Sequence, residues 1–584
     1  MGGMRTRLAS FVPALDWLRT YRRSDLAADT LAGAIVAVLL VPQAMAYAML
    51  AGLPPEVGLY ASIAPLVLYA LLGTSRTLSV GPVAVVSLLV ASGLAQFGAL
   101  EPSEALGLAA LLALAVGVVQ LGMGLLRAGF LVNFLSHPVV SGFTSAAALV
   151  IAFSQVEHLL GISVPRGHAP WESITGTLAR VPDANPTALA VGALALVLLV
   201  LHPRLSAPWL ERRGAPDWLQ ALVPRAAPLF VVVLGTLAAF TLGLPERAGL
   251  AIVGAIPSVL PRPSLPTLDM SALKQLATTV MAISLVGFLE SYAVAQTLAT
   301  RRRESIDGSQ ELVALGVANL GSALFGGYPV TGGFSRSMVN FGAGARTGVA
   351  SIVTAALVLL TLIALTPLLF YLPRAVLAAI IIVAVLPLVD LAAARRAWSY
   401  SRADGAALIV TFVAVFVLGV ELGIILGVVF SLVVYLSRSS RPHLAVVGRV
   451  GDSEHFRNVE RHAVQTSDGL LAIRIDESLY FGNVRNLEQR IHERVAADPK
   501  LRQVLLIASG INFVDVTGLE CLELCATTLA RAGVDLHLAE VKGPVMDRLE
   551  RSGFVDQLGR DHFHLSTHEA FGKLGAQPEQ AVVE

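Results

Sequence analysis

GGYPVTGGFSRSMVNF, residues 326–341, lies in a strongly apolar region yet carries four glycines, a proline, Thr331, Ser335, Ser337 and a full charge, Arg336. An uninterrupted membrane helix has no use for that composition. Glycine and proline clusters at membrane depth are tolerated where the backbone borders protein or a water-filled cavity rather than lipid. An arginine there is costly and points to function. A second interruption lies far upstream at 75–87, SRTLSVGPVAVVS, where Gly81-Pro82 opens another short apolar run. Paired broken segments in the two halves of a hydrophobic chain place a binding site between them. Two facing half-helix N-termini offer unpaired N–H groups and positive dipole ends, which suits an anion.

The rest of the chain sets this pair in a membrane. Of 584 residues, 55% are hydrophobic and only 14% charged, with mean hydropathy +0.71. Long apolar runs with so few charges indicate a polytopic α-helical membrane protein. Fourteen apolar segments can be marked between residues 28 and 437, and some, such as 57–72 and 334–342, fall short of the ~20 residues a span needs. With the N-terminus inside, the inner connections hold twenty arginines, among them Arg22, Arg23, Arg76, Arg301–Arg303, Arg346, Arg395, Arg396, Arg438 and Arg441. The outer connections hold six basic residues: Arg166, Arg180, Arg247, Arg262, Lys274 and Arg374. That bias supports an even count with both termini cytoplasmic.

Four regions follow: a basic, amphipathic lead-in (1–25) with no cleavable signal evident, a membrane domain (26–440), a small soluble α/β domain (441–575) and a tail (576–584) expected to be disordered. Alternating apolar stretches such as Leu470–Ile475 and Val504–Ala508, with helical patterns between them, carry the α/β reading. Cys521 and Cys525, four apart on an expected helix, read as core packing in a reducing compartment. No Cys/His set completes a metal site, no G-x-x-x-x-G-K-[ST] supports ATP-driven pumping, and no catalytic triad appears; neither an enzyme nor a cofactor is expected.

The run from Val41, VPQAMAYAMLAGLPPEVGLYASIAPLVLYALLGTSRTLSVGPVAVVSLLV, resembles the signature of the SulP anion permeases, the family of sulfate transporters and prestin. The likeness continues through 307–340, DGSQELVALGVANLGSALFGGYPVTGGFSRSMVN. RIDESLYFGNVRNLEQRI (474–491) and INFVDVTGLECL (511–522) resemble a STAS domain. The resemblance implies two inverted repeats of seven segments. A mobile core domain takes segments 1–4 and 8–11, a gate domain takes 5–7 and 12–14, and the anion sits between the N-termini of segments 3 and 10. It further implies a homodimer in the bacterial inner membrane that moves an anion by elevator-like displacement of the core. Sulfate is the first choice of anion by analogy, with bicarbonate, chloride and dicarboxylates open.

Individual residues can be weighed beside that resemblance. Arg336 would neutralise the anion at the segment 10 terminus, or else pair permanently with an internal carboxylate. Ser335 and Ser337 can donate hydroxyls, or cap the helix, and the N–H groups around Phe334–Ser337 add donors. In the other half Val83 and Ala84 would bind through the main chain, with Pro82 at the first helical position. Gln43 and Tyr47, four apart in PQAMAY, share a helix face; the resemblance puts them at the pocket wall, while Tyr47 could equally be packing. Glu290, deep in the apolar ISLVGFLESYAVAQ, is a candidate for proton coupling, since an unpaired carboxylate in that medium favours the protonated form. Some members of the family use sodium, with a segment 8 aspartate and neighbouring threonines; here Val294 stands one turn on, so a sodium-coupled bicarbonate transporter or an exchanger is the alternative. A nucleobase permease of the same fold would turn carboxylates, not Arg336, toward a neutral base. In the soluble domain Asp515-Val516-Thr517-Gly518 matches a loop phosphorylated in related anti-sigma-factor antagonists, with simple capping by Thr517 as the other reading. The expected partners are the anion, a proton, lipid and a second copy of the chain, with no nucleic acid.

Overall fold

The computed structural model describes residues 12–130, 136–164, 170–255 and 262–581. It falls into two compact units, Met1–Ser431 and Leu432–Glu584.

Each expected apolar segment is met by a helix. Segments 1 to 7 are Arg23–Leu50, Pro55–Leu72, Ala84–Ala95, Pro102–Leu125, His137–Leu160, Pro186–Arg212 and Ala227–Thr241. Segments 8 to 14 are Ala277–Arg302, Gly308–Leu324, Phe334–Gly342, Val349–Leu369, Arg374–Val385, Arg402–Leu418 and Val420–Ser439. Segments 3 and 10 are too short to cross a bilayer. The lead-in contains a helix of its own, Ala14–Thr20, which buries Ala14 and Trp17, while residues 1–11 lie outside the described residues.

The packing carries the repeat. Segment 4 packs along segment 9, segment 1 along segment 11, and segment 6 along segment 12. Counting seven segments on turns these pairs into 11 with 2, 8 with 4, and 13 with 5, all of which also pack. Small residues let these backbones approach. A Cβ on Gly316 of segment 9 would stand 2.5 Å from the Leu121 nitrogen, and one on Gly117 of segment 4 would stand 2.9 Å from the Gly316 carbonyl. In a bilayer close contact of this kind, rather than water exclusion, holds helices together.

Two short strands join the halves at the breaks. β1 (Val80–Gly81) pairs antiparallel with β2 (Thr331–Gly332), Val80 facing Gly332 and Gly81 facing Thr331. Each strand runs directly into a half-helix, so the breaks lie side by side although they are some 250 residues apart in the chain.

The second unit is a sheet with helices. Its strands are β3 (Leu444–Arg449), β4 (Phe456–Asn458), β5 (Val464–Asp468), β6 (Leu470–Ile475), β7 (Gln503–Ile507), β8 (Asp535–Ala539), β9 (Phe563–His564) and β10 (Ala576–Ala581). The order is β10-β5-β3-β6-β7-β8-β9, with β4 on β3 and with β6 through β9 parallel. Alternation along β7 feeds two cores: Val504 and Leu506 pack with Cys521 and Cys525, while Leu505 and Ile507 pack with Phe571. That is the signature of a sheet covered on both faces. Both cysteines are buried and free, as core packing requires. The tail departs from expectation: Ala576–Ala581 pairs antiparallel with β5, its backbone completing the sheet edge despite a polar sequence without β-branched residues.

Three histidines absent from the sequence reading meet on β8, β9 and the turn that leads into β9. His537 and His562 stack at 4.4 Å, and His564 Nε2 lies 3.3 Å from His537 Nδ1. Burial, then the neighbouring His562 and His564, push His537 down to about 4.

Candidate anion-binding site

The half-helix of segment 10 starts on Gly333, whose extended backbone serves as N-cap, so Phe334, Ser335 and Arg336 are its first three helical residues. Their N–H groups have no partner within the helix, as in any first turn. Segment 3 starts the same way on Val83, with Ala84 as its first helical residue. Pro82 therefore sits before the cap, not at the first helical position. The reason is its carbonyl, which is turned to accept a hydrogen bond from Arg336 Nη1 at 2.5 Å.

Arg336 is the largest side chain that is almost wholly buried, at 1% exposure. Its guanidinium fits against bare backbone: a Cβ on Gly333 would come within 2.9 Å of the guanidinium carbon, and one on Gly81 within 3.3 Å of Nη2. Nε and Nη2 are buried without a hydrogen-bond partner. Such a cation is strongly unfavourable unless something negative completes it. Glu290 does not do so directly. It acts on the guanidinium electrostatically, as do Tyr47 and Tyr328, but no ion pair or hydrogen bond joins it to Arg336 among the described residues. Its own Oε2 is buried and unpartnered.

The other candidates divide. Phe334, half exposed, and Ser335 form the accessible lip of segment 10. Gln43, Tyr47, Val83 and Ala84 are buried, and Tyr47 packs in one apolar cluster with Ala84. Ser337 does not belong with them. Its hydroxyl donates to the Gly333 carbonyl at 2.7 Å and accepts from the Ser79 N–H at 2.9 Å, so it braces the two breaks together. Asn340 adds a second brace, donating to the Thr77 carbonyl at 3.0 Å.

Several residues without an assigned role in the sequence reading support this junction. Tyr328 is fully buried with its hydroxyl 3.0 Å from Ser87 Oγ, in the first turn of segment 3. Thr331 donates to the Gly287 carbonyl and meets Ser291 Oγ, which accepts from the Gly332 N–H at 2.8 Å. The Tyr-Pro-Val-Thr spelling of the break was the available signal, since polar groups beside glycines at membrane depth need partners.

In the soluble unit Asp515 caps the helix Val516–Arg531 by accepting from the Gly518 N–H at 2.7 Å, and it also accepts from Phe481 N at 2.9 Å. Capping thus falls to Asp515, and Thr517 is left exposed in the first turn.

Comparison with known proteins agrees with this architecture. Residues 26–411 match the model of the sulfate permease family, and residues 461–570 match the STAS domain. The chain is 36% identical over 582 residues to the chloroplastic sulfate transporter 4.1 of Arabidopsis thaliana, covering 97% of this chain and 83% of that one. It is 34% identical to a probable sulfate transporter of Mycobacterium tuberculosis, covering 96% and 97%. The inward-facing structure of the murine anion transporter Slc26a9 superposes with TM-score 0.90 at 27% identity, over 97% of this chain and 94% of that one. The membrane domain of the cyanobacterial bicarbonate transporter BicA shares the fold, with TM-score 0.58 at 22% identity over 70% of this chain and 98% of that one. With fourteen helical segments, paired breaks around a buried arginine and a C-terminal STAS sheet, the chain belongs to the sulfate permease family of multi-pass membrane anion transporters.

Proposed function

We propose that this protein is a secondary active transporter for sulfate or a similar small oxyanion or dicarboxylate, held between the N-termini of segments 3 and 10. The observation that carries the reading is the Arg336 guanidinium, buried at that junction with Nε and Nη2 unpartnered. A tetrahedral dianion fits this environment: it can take the free guanidinium donors, the Ser335 hydroxyl and the first-turn N–H groups of both half-helices. Ser337 is assigned to the frame, and Gln43, Tyr47, Val83, Ala84 and Phe334 to the wall.

Coupling is assigned to Glu290. Its buried, unpartnered Oε2 lies in the field of Arg336, so the anion and a proton on Glu290 each relieve a charge that the other leaves exposed. Anion and proton then bind better together than apart, which is the thermodynamic requirement of symport. The core, segments 1–4 and 8–11, would carry the loaded site past the gate in an elevator-like movement. The inner arginine excess argues for both termini in the cytoplasm, and the protein is assigned to a bacterial inner membrane as a homodimer. Exposed Thr517 is the proposed regulatory phosphorylation site.

Uptake of labelled sulfate into proteoliposomes, with a proton gradient, a sodium gradient or neither imposed, tests this reading. Accumulation with protons alone supports it. Accumulation with sodium alone would overturn the coupling but keep the anion site, and no sulfate movement under any gradient would overturn the substrate.

A further inference from the structure

The two half-helices have lead-in loops, 73–79 and 325–330, that must be held still if the gap between their N-termini is to have a fixed width. Both loops hang from one helix. Near its start, segment 9 carries Glu311, fully buried. Its Oε2 accepts from the Tyr69 hydroxyl at 2.6 Å, and its Oε1 accepts from the Thr74 N–H at 2.8 Å, the Thr74 hydroxyl at 2.6 Å and the Ser75 N–H at 3.3 Å. Thr74 and Ser75 lie in the loop ahead of β1 and segment 3, and Tyr69 lies in the last turn of segment 2. Eight residues on, along the same helix face, stands Asn319, also fully buried. Its Oδ1 accepts from the Val330 N–H at 2.8 Å, and its Nδ2 donates to the Val330 and Leu315 carbonyls, each at 3.1 Å, and to Gln120 Oε1 at 2.9 Å. Val330 immediately precedes β2 and segment 10.

Segment 9 is itself poorly free to move. Gly316, between the two anchors, is in backbone contact with segment 4, and a Cβ on Gly321 would strike Leu68 of segment 2. The Glu311 carboxylate is held wholly by neutral donors among the described residues. What it supplies is a fixed point, because every lone pair it loses leaves a buried donor unsatisfied.

We infer that segment 9 is the frame that sets the distance between the two half-helix N-termini, and that Glu311 and Asn319 are positioning residues for anion capture and for anion selectivity. The inference rests on the anion site proposed above. Neither residue touches the anion; each acts through the loop it holds.

The test uses the full-length protein purified in nanodiscs, with sulfate and chloride as the two probes, and the variants Tyr69→Phe, Glu311→Gln, Asn319→Ala and Asn319→Asp. Arg336→Ala is carried as the control. Tyr69→Phe removes one bond from the Glu311 cluster and keeps the ring, so it remains usable if the others fail to fold. Asn319→Asp keeps the acceptor for Val330 N–H but turns an oxygen onto three other oxygens, so it should be no milder than the alanine variant. The expected result is sulfate affinity lower by about threefold or more in variants at both anchors, with the sulfate-to-chloride affinity ratio shifted. A purely structural role would lower the melting temperature or the active fraction and leave that ratio as in the wild type, which would overturn the inference. If Arg336→Ala weakens sulfate binding and the anchor variants do not change the ratio, the frame is wrong and the site stands. If Arg336→Ala changes nothing, the site itself is wrong, and the inference falls with it.

Discussion

Arg336 Nη1 donates to the carbonyl of Pro82, a residue 254 positions earlier in the chain, and this bond ties one broken helix to the other. It takes one guanidinium nitrogen out of play and leaves Nε and Nη2 free. The arginine is thus both the tie between the halves and a cation with unused donors.

Gly333 is the seat of that guanidinium. A methyl group there would come within 2.9 Å of the Arg336 guanidinium carbon, while the glycine's own φ of −92° suits any residue. Gly333→Ala should therefore displace a flexible side-chain end without straining the backbone. Anion affinity is expected to fall several-fold with the melting temperature held within about 2 °C, read by isothermal titration and thermal scanning of one preparation. A large loss of melting temperature with unchanged affinity would contradict the placement.

Ser335 and Ser337 should separate cleanly. Ser337→Ala leaves the Ser79 N–H buried without its acceptor, a destabilisation of about 1–3 kcal/mol. Ser335→Ala removes an accessible hydroxyl and should leave stability nearly unchanged while lowering anion affinity. Denaturation midpoints and binding isotherms for the two variants decide the assignment; the opposite pattern would exchange their roles.

How much of this was legible beforehand differs by kind of signal. The breaks at 75–87 and 326–341 stood out because glycine, proline and arginine violate what a lipid-facing helix tolerates, and that single anomaly marked the proposed site. Ser337 and Ser335 look alike in the sequence. Only the approach of Ser79, 258 residues away, shows that one is committed to the frame. Glu311 and Asn319 read as ordinary polar residues of a helix start and interior, because their partners come from loops that the fold alone brings to them. Pro82 was misplaced by one local rule: proline suits a first helical position, but here a long-range bond to Arg336 claims its carbonyl. The 576–581 strand escaped notice since edge pairing uses backbone groups, for which AQPEQA gives no side-chain signal. Likewise His537, His562 and His564 converge only once β8 and β9 are side by side.

Those histidines set a pH dependence for the STAS domain. His537 titrates near its ordinary 6.5 when unfolded and at about 4 when folded, burial being the main cause. Protons therefore bind the unfolded chain more readily. The neutral ring's contribution is complete above about pH 6.5 and is lost as pH falls toward about 4. Hydrogen exchange of β8 and β9 amides in the intact protein, corrected for the intrinsic rate, should show protection falling across that window, and His537→Phe should flatten it. Protection independent of pH between 4 and 6.5 would contradict the burial of a neutral imidazole.

Glu290→Gln keeps the shape of the protonated side chain and removes the exchangeable proton. Anion binding and exchange across the membrane should survive, while accumulation driven by an imposed pH gradient should disappear. Proteoliposome uptake with protons as the only driving force reads this directly. A glutamine variant that still concentrates sulfate under those conditions would remove Glu290 from the coupling mechanism.

The central claim is that the anion completes the buried Arg336 guanidinium. Its most direct test is sulfate binding to purified, monodisperse wild-type protein and to Arg336→Ala at equal folded concentration. The half-helix dipoles remain in the variant, so binding should persist but weaken by about tenfold or more, the value of a charge-assisted hydrogen-bonded pair. Unchanged affinity, for sulfate and for every other anion the protein carries, would contradict the account.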